Sequence, residues 1–244
     1  LLEDLEKSIL ETPNVKFIYV IPDFQNPSGR TWSLERRVGL INLANKYNLV
    51  VIEDNPYGAL RFEGSSIVSV KSLDTEGRVV YLGTFSKTFS PGIRIGWVCA
   101  SSEILNKYIL VKQSADLQTS TLAQRELSMY LDLYDFDAHI ASIRTVYKKR
   151  LQVMTEAMKN YFPSTAIFEI PMGGLFVWVT LPKHVDTRKV LIKAIENKVA
   201  FVPGGSFYPN GNRENAMRLN FSNMPEEKIV EGIERLGKIL KEMI

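Results

Sequence analysis

The stretches VVYLGTF (79–85), SKTFSPGIR (86–94) and IGWVCA (95–100) follow one another directly, and their reading decides the architecture. The outer two are short apolar runs rich in β-branched and aromatic residues, the pattern of strands. Nine residues separate them, too few for a helical crossover, so this pair is expected to run antiparallel. Upstream the rhythm differs. KFIYVI (16–21) and LVVIED (49–54) are further strand candidates, and residues 33–48 between them return to helical period. Ser33 stands there as N-cap, with Glu35 in the first turn. Strand, helix, strand with apolar strands calls for parallel pairing through crossovers. The expectation is an α/β fold on a mostly parallel mixed sheet with one reversed strand.

Leu2, Leu5 and Ile9 at helical spacing predict a first helix over about 2–11, ended by Pro13. Residues 102–133 read as helical in two pieces, and 135–161 as one long helix stopped by Pro163. TAIFEI, GLFVWVTL, a helix near 187–198, VAFVP, AMRLNFS and a final helix from about Pro225 then describe a smaller α+β unit. The spacing places a domain boundary at the start of the long helix, giving 1–134 and 135–244.

Lys and Arg total 30 against 27 for Asp and Glu, a balance that argues against a polybasic nucleic-acid arm or an acidic tail. Hydrophobic residues at 45% and charged residues at 23% exclude a disordered chain. Cys99 stands alone, which excludes an internal disulfide and fits a reducing compartment, and it reads as a small buried hydrophobe. His139 and His184 lie in unrelated contexts and read as surface residues, so no metal site is expected. Lys148, Lys149 and Arg150 read as a solvated helix face. No apolar run approaches the roughly 18–20 residues of a membrane span, and the first residues do not resemble a signal peptide. A cytoplasmic protein that binds neither nucleic acid nor membrane is expected.

In open parallel sheets ligands bind beyond the carboxyl ends of the strands. Here those ends carry Gln25 and Asn26, then Asp54 and Tyr57, then Thr84, Ser86 and Lys87, with Arg94 in the following loop. A phosphate-binding P-loop is ruled out because it needs glycine where Tyr81 and Ser86 stand. A serine hydrolase is ruled out as well, since no G-x-S-x-G occurs and neither His is near a candidate Ser. Pyridoxal phosphate (PLP) uses every group in the set. An amine forms a Schiff base with its aldehyde, and a carboxylate keeps the ring nitrogen protonated. A phenol and an amide bond the phenolic oxygen, while Arg and hydroxyls take the phosphate. Local readings stand beside these. Asp54 is also suited to capping the next turn, Asn26-Pro27 to a turn alone, and Tyr57 to plain packing. Thr84 is equally able to bond backbone, and Arg218 to sit on the polar face of the strand MRLNF. Gly173-Gly174 suits a hairpin turn or a close approach of backbone to substrate.

PDFQNPSGR, EDNPYGALRF, GTFSKTFSPGIRIGW and the late MRLNFS resemble fold-type I, class I/II PLP-dependent aminotransferases. The branch with 2-aminoadipate, kynurenine and aromatic aminotransferases is the most similar. The resemblance implies that Lys87 is the Schiff-base lysine and proton shuttle, with Asp54 the ring-nitrogen partner. It makes Asn26 and Tyr57 partners of the phenolic oxygen, and Thr84, Ser86 and Arg94 phosphate ligands. Arg218 becomes the fork for the substrate α-carboxylate, a task for which Lys is poorly shaped, with Asn26 a further substrate-binding residue. Residues 1–134 become the C-terminal part of the PLP-binding large domain and 135–244 the small domain. A homodimer is implied, acting on an amino acid and a 2-oxo acid such as 2-oxoglutarate. Family members are longer than this chain. The ring-stacking aromatic, a phosphate loop and the dimer arm are therefore expected ahead of Leu1. Two rival functions share the same residues: a PLP-dependent β-lyase, and the PLP-binding half of a helix-turn-helix transcription regulator.

Overall fold

The computed structural model describes residues 1–209, 211 and 213–244. The chain divides into two compact units, one of Leu1–Asp23, Thr31–Ala59 and Ser65–Ile140, the other of Phe24–Arg30, Leu60–Gly64 and Ala141–Ile244.

In the first unit, β1 (Phe17–Val20), β2 (Val50–Asp54), β3 (Val79–Thr84) and β4 (Gly96–Cys99) form a sheet in that order. β1 and β2 run parallel with Phe17 opposite Val50, and β2 and β3 run parallel with Val51 opposite Val79. β4 returns antiparallel, Tyr81 opposite Cys99 and Thr84 opposite Gly96, as the short connection requires. α1 (Leu2–Glu11) and α2 (Leu34–Lys46) accompany it, and Ser33 caps α2 by accepting the Arg36 N–H at 3.3 Å. Leu40, Ile41 and Ala44 of α2 pack on Val20, Val51, Val70 and Val79 as the core of this unit. Arg37 of the same helix is fully buried, held by Asp23 at 2.8 Å and by the carbonyls of Val68, Trp32 and Pro22. α3 (Ser102–Ala115) and α4 (Thr121–Leu133) follow, and α5 (Phe136–Tyr161) spans the division between units.

The second unit is built on β5 (Ile167–Phe168), β6 (Phe176–Thr180), β7 (Val202–Pro203) and β8 (Ala216–Asn220). Their order is β5-β6-β8-β7, with every pair antiparallel. α6 (Thr187–Glu196), capped by Asp186, and α7 (Glu226–Met243) join α5 in covering it. Ile229, Ile233, Leu236 and Leu240 recur at helical spacing along α7 and are buried with Met154, Met158, Val177, Met217 and Leu219.

Two local expectations are corrected. Cys99 is exposed, as the last residue of β4, which lies at the sheet edge. His139 is partly buried rather than on the surface, since the turn after β3 folds back to it. Lys148, Lys149 and Arg150 are ion-paired, Lys148 to Glu63 and the other two to Glu226.

Candidate active site

β2 ends at Asp54, and the ladder continues one step further as the Asn55 N–H donates to the Leu82 carbonyl at 3.0 Å. The turn that follows is capped by Asn55, whose Oδ1 accepts the Gly58 N–H at 2.8 Å. Asp54 is thereby released from the local capping role. Its Oδ2 accepts the hydroxyl of Tyr19 at 2.5 Å. The register explains the reach: Tyr19 lies opposite Ile52, on the face Asp54 shares two residues later. That rise is about 6.6 Å, which a phenol spans. Loss of water around the phenol, then the bond to Asp54, push the Tyr19 hydroxyl well above its ordinary pKa, so it remains a donor. Tyr57, in the turn, is buried at 5% exposure.

Beyond β3 the chain turns tightly. The N–H groups of Thr88, Phe89 and Ser90 converge on the Phe85 carbonyl, and the partly buried Lys87 sits inside that turn. Among the described residues Lys87 has no ion pair or side-chain hydrogen bond. The turn is braced from behind, where Nε2 of His139 donates to the Thr88 carbonyl at 3.1 Å. Phe89 packs on Tyr130 with centroids 4.5 Å apart, and Phe85 faces Phe136 at 6.2 Å. The Trp97 ring lies against the backbone of Gly83, where an added Cβ would fall 2.2 Å from the indole. Glycine is required there by that close approach.

Thr84 uses its hydroxyl locally, accepting the Ser86 N–H at 3.1 Å and donating to the Ile95 carbonyl across a longer 3.4 Å. Arg94 follows a 3₁₀ turn at Pro91–Ile93 and adopts φ 54°, a left-handed backbone that non-glycine residues avoid. Its exposed side chain donates to the Pro91 carbonyl at 3.2 Å and has no other hydrogen bond among the described residues.

The remaining two candidates belong to the second unit. Asn26 lies in the turn 24–30, closed by the Gln25 N–H on the Arg30 carbonyl at 2.9 Å and by Gln25 Oε1 accepting the Ser28 N–H at 2.9 Å. Arg218, in β8, donates from Nη1 to Asn26 Oδ1 at 2.6 Å. Its guanidinium lies over the Phe176 ring at 4.2 Å and the Phe207 ring at 5.4 Å. Gly173 and Gly174 serve packing, since a Cβ on either would strike Phe24.

Asp54, Tyr57, Thr84, Ser86, Lys87 and Arg94 thus lie in one unit, and Asn26 with Arg218 in the other. Sequence reasoning passed over Tyr19 and His139. Tyr19 was within reach, as a lone phenol on the strand beside the one that ends in Asp54. His139 carried no local signal, because it lies 51 positions from its partner.

A mostly parallel sheet with polar strand ends and an antiparallel second unit define an α/β protein with candidate groups at the strand ends. Residues 1–236 match the family described as aminotransferase class I and II, and the chain belongs to that family. It is 45% identical over 99% of its length to aromatic-amino-acid aminotransferase 1 of Thermococcus litoralis, covering 57% of that protein. To 2-aminoadipate transaminase of Thermus thermophilus it is 37% identical, covering 61% of the relative. The crystal structure of Pyrococcus horikoshii kynurenine aminotransferase, in complex with PMP, superposes with a TM-score of 0.93 at 44% identity. That match covers 98% of this chain and 59% of the other. The chain therefore spans about three fifths of the length of these relatives.

Proposed function

We propose that the protein carrying this chain is a PLP-dependent aminotransferase. It moves the amino group of an L-amino acid to a 2-oxo acid, with 2-oxoglutarate the acceptor, and works as a cytoplasmic homodimer. The observation that carries the reading is the pairing of β2 and β3. Asp54 lies opposite Leu82 at the end of one strand, and a lysine without an ion pair among the described residues stands just beyond the other. Family membership and the names of the relatives support it. Residues 1–134 are read as the C-terminal part of the PLP-binding large domain and 135–244 as the small domain.

The donor set fits the cofactor. The Asp54 carboxylate meets only a neutral phenol among the described residues, so its charge is kept for a cationic partner. The left-handed backbone at Arg94 places a charged side chain where glycine would be easier, a strain consistent with a binding role. When bound, PLP supplies an aldehyde for an amine and a ring that takes up the electron pair left as Cα loses its proton. Asp54 holds negative charge at the ring nitrogen. Asn26 and Tyr57 donate to the ring oxygen. Ser86, Arg94 and Thr84 bind the phosphate, Thr84 by redirecting its long bond to Ile95. Lys87 holds the cofactor and carries the Cα proton, and Arg218 receives the α-carboxylate.

Borohydride reduction of the whole protein followed by peptide mapping is expected to place the pyridoxyl group on Lys87. An amino donor added alone should convert the cofactor to its amine form, which separates transamination from β-elimination. Labelling of a different lysine as the main product overturns the assignment.

A further inference from the structure

Tyr19 is among the exposed large side chains, at 52%, yet its hydroxyl makes a short bond to a single carboxylate oxygen. It does not belong to the buried core, which on its strand is represented by Val20. The capping duty after β2 falls to Asn55, and Asp54 forms no ion pair among the described residues. The carboxylate is therefore oriented by a neutral donor rather than by a cation. A lysine or arginine in the same place would have neutralised it. Oδ1 receives no hydrogen bond from the described residues.

We propose that Tyr19 is a positioning residue: its hydroxyl pins Oδ2 of Asp54 so that Oδ1 is presented to the nitrogen of the cofactor ring. This rests on the reading of Asp54 as the ring-nitrogen partner. An unpinned carboxylate rotates about its Cβ–Cγ bond, and a fixed one loses less freedom on meeting the ring. Tyr57 is the other titratable group that influences the Tyr19 hydroxyl, and like Asp54 it favours the protonated phenol. The bond thus persists across the neutral range.

The test is cofactor affinity rather than turnover. Dissociation constants are measured for PLP and for its 1-deaza analogue, in which C–H replaces the ring nitrogen. The proteins compared are wild type, Tyr19→Phe, Asp54→Ala and the double variant. Tyr19→Phe removes one oxygen from a half-exposed ring and leaves the ring's packing in place. It is expected to weaken PLP binding about three- to tenfold while leaving the deaza analogue unchanged. In the Asp54→Ala background the same substitution should change neither. Equal losses for both ligands, or an undiminished loss in the Asp54→Ala background, would show that Tyr19 merely supports the strand, and the proposal falls. If Asp54→Ala discriminates between the ligands and Tyr19→Phe does not, the role of Tyr19 alone is overturned. If Asp54→Ala keeps the wild-type preference, the assignment of Asp54 fails and this proposal with it.

Discussion

Nη1 of Arg218 donates to Oδ1 of Asn26 at 2.6 Å, across 192 positions of sequence. An amide oxygen accepts this bond without carrying a charge of its own, so the contact aims the guanidinium. The rings of Phe176 and Phe207 hold its plane, and its orientation is prepared before a substrate arrives.

Removal of that fork should damage every α-amino acid donor alike. Each charge-assisted hydrogen bond contributes roughly 1.5–3 kcal/mol, so Arg218→Ala is expected to lower kcat/KM by about two orders of magnitude. Arg218→Lys should recover only part, since an ammonium is a point charge. The check is a comparison of each donor with its decarboxylated amine, which should respond little. Equal losses for both would place the carboxylate elsewhere.

The buried Arg37–Asp23 pair should be costly to break from one side. Arg37 has no exposure and Asp23 4%, so Asp23→Ala strips a buried guanidinium of its ion-pair partner and leaves it with the carbonyls of Val68, Trp32 and Pro22 and the field of the buried Glu53. A loss of about 3–5 kcal/mol is expected in urea unfolding. Asp23→Ala combined with Arg37→Met should cost less than the sum of the two single changes, because the stranded charge is gone. Strict additivity would mean the pair is not coupled.

Asp74 should set part of the acid limb of stability. Burial raises its carboxyl, but donation from the Val79 N–H, Lys71 and the Arg78 N–H outweighs this and holds it below the ordinary value. A depressed folded-state value stabilises above the unfolded carboxylate pKa, near 4, and that contribution fades as pH falls through the folded value. Asp74→Asn is therefore expected to lose about 1–2 kcal/mol at neutral pH and to show a flatter decline in acid. Denaturant midpoints measured from pH 7 down to 3 give the comparison. Parallel curves would remove Asp74 from the acid limb.

Much of the fold was legible along the chain. Apolar runs marked β1 to β4, and the nine residues (86–94) between the last two runs were enough to reverse the final strand, because a loop of that length holds no crossover helix. The positions of Asp54 and Lys87 were legible for the same reason, since a strand's end is a local event. The division of the chain was less so. Residues 24–30 and 60–64 group with the C-terminal unit although they interrupt the first in sequence.

Sequence by itself determined where the four strands of the first sheet fall, to within about a residue, the sense of the β3–β4 return and the helical periods of α2 and α7. These depend on periodicity and loop length, which act over a few residues. Only the tertiary structure decided that Tyr19 meets Asp54, that Asn55 takes the cap, that Arg218 is aimed by Asn26, and that His139 braces the lysine turn while Cys99 stands exposed. Each of these except the Asn55 cap depends on strand register or on which face distant chain covers. The cap itself was a choice between two adjacent side chains, both chemically able to make it, that the backbone geometry of the turn resolved.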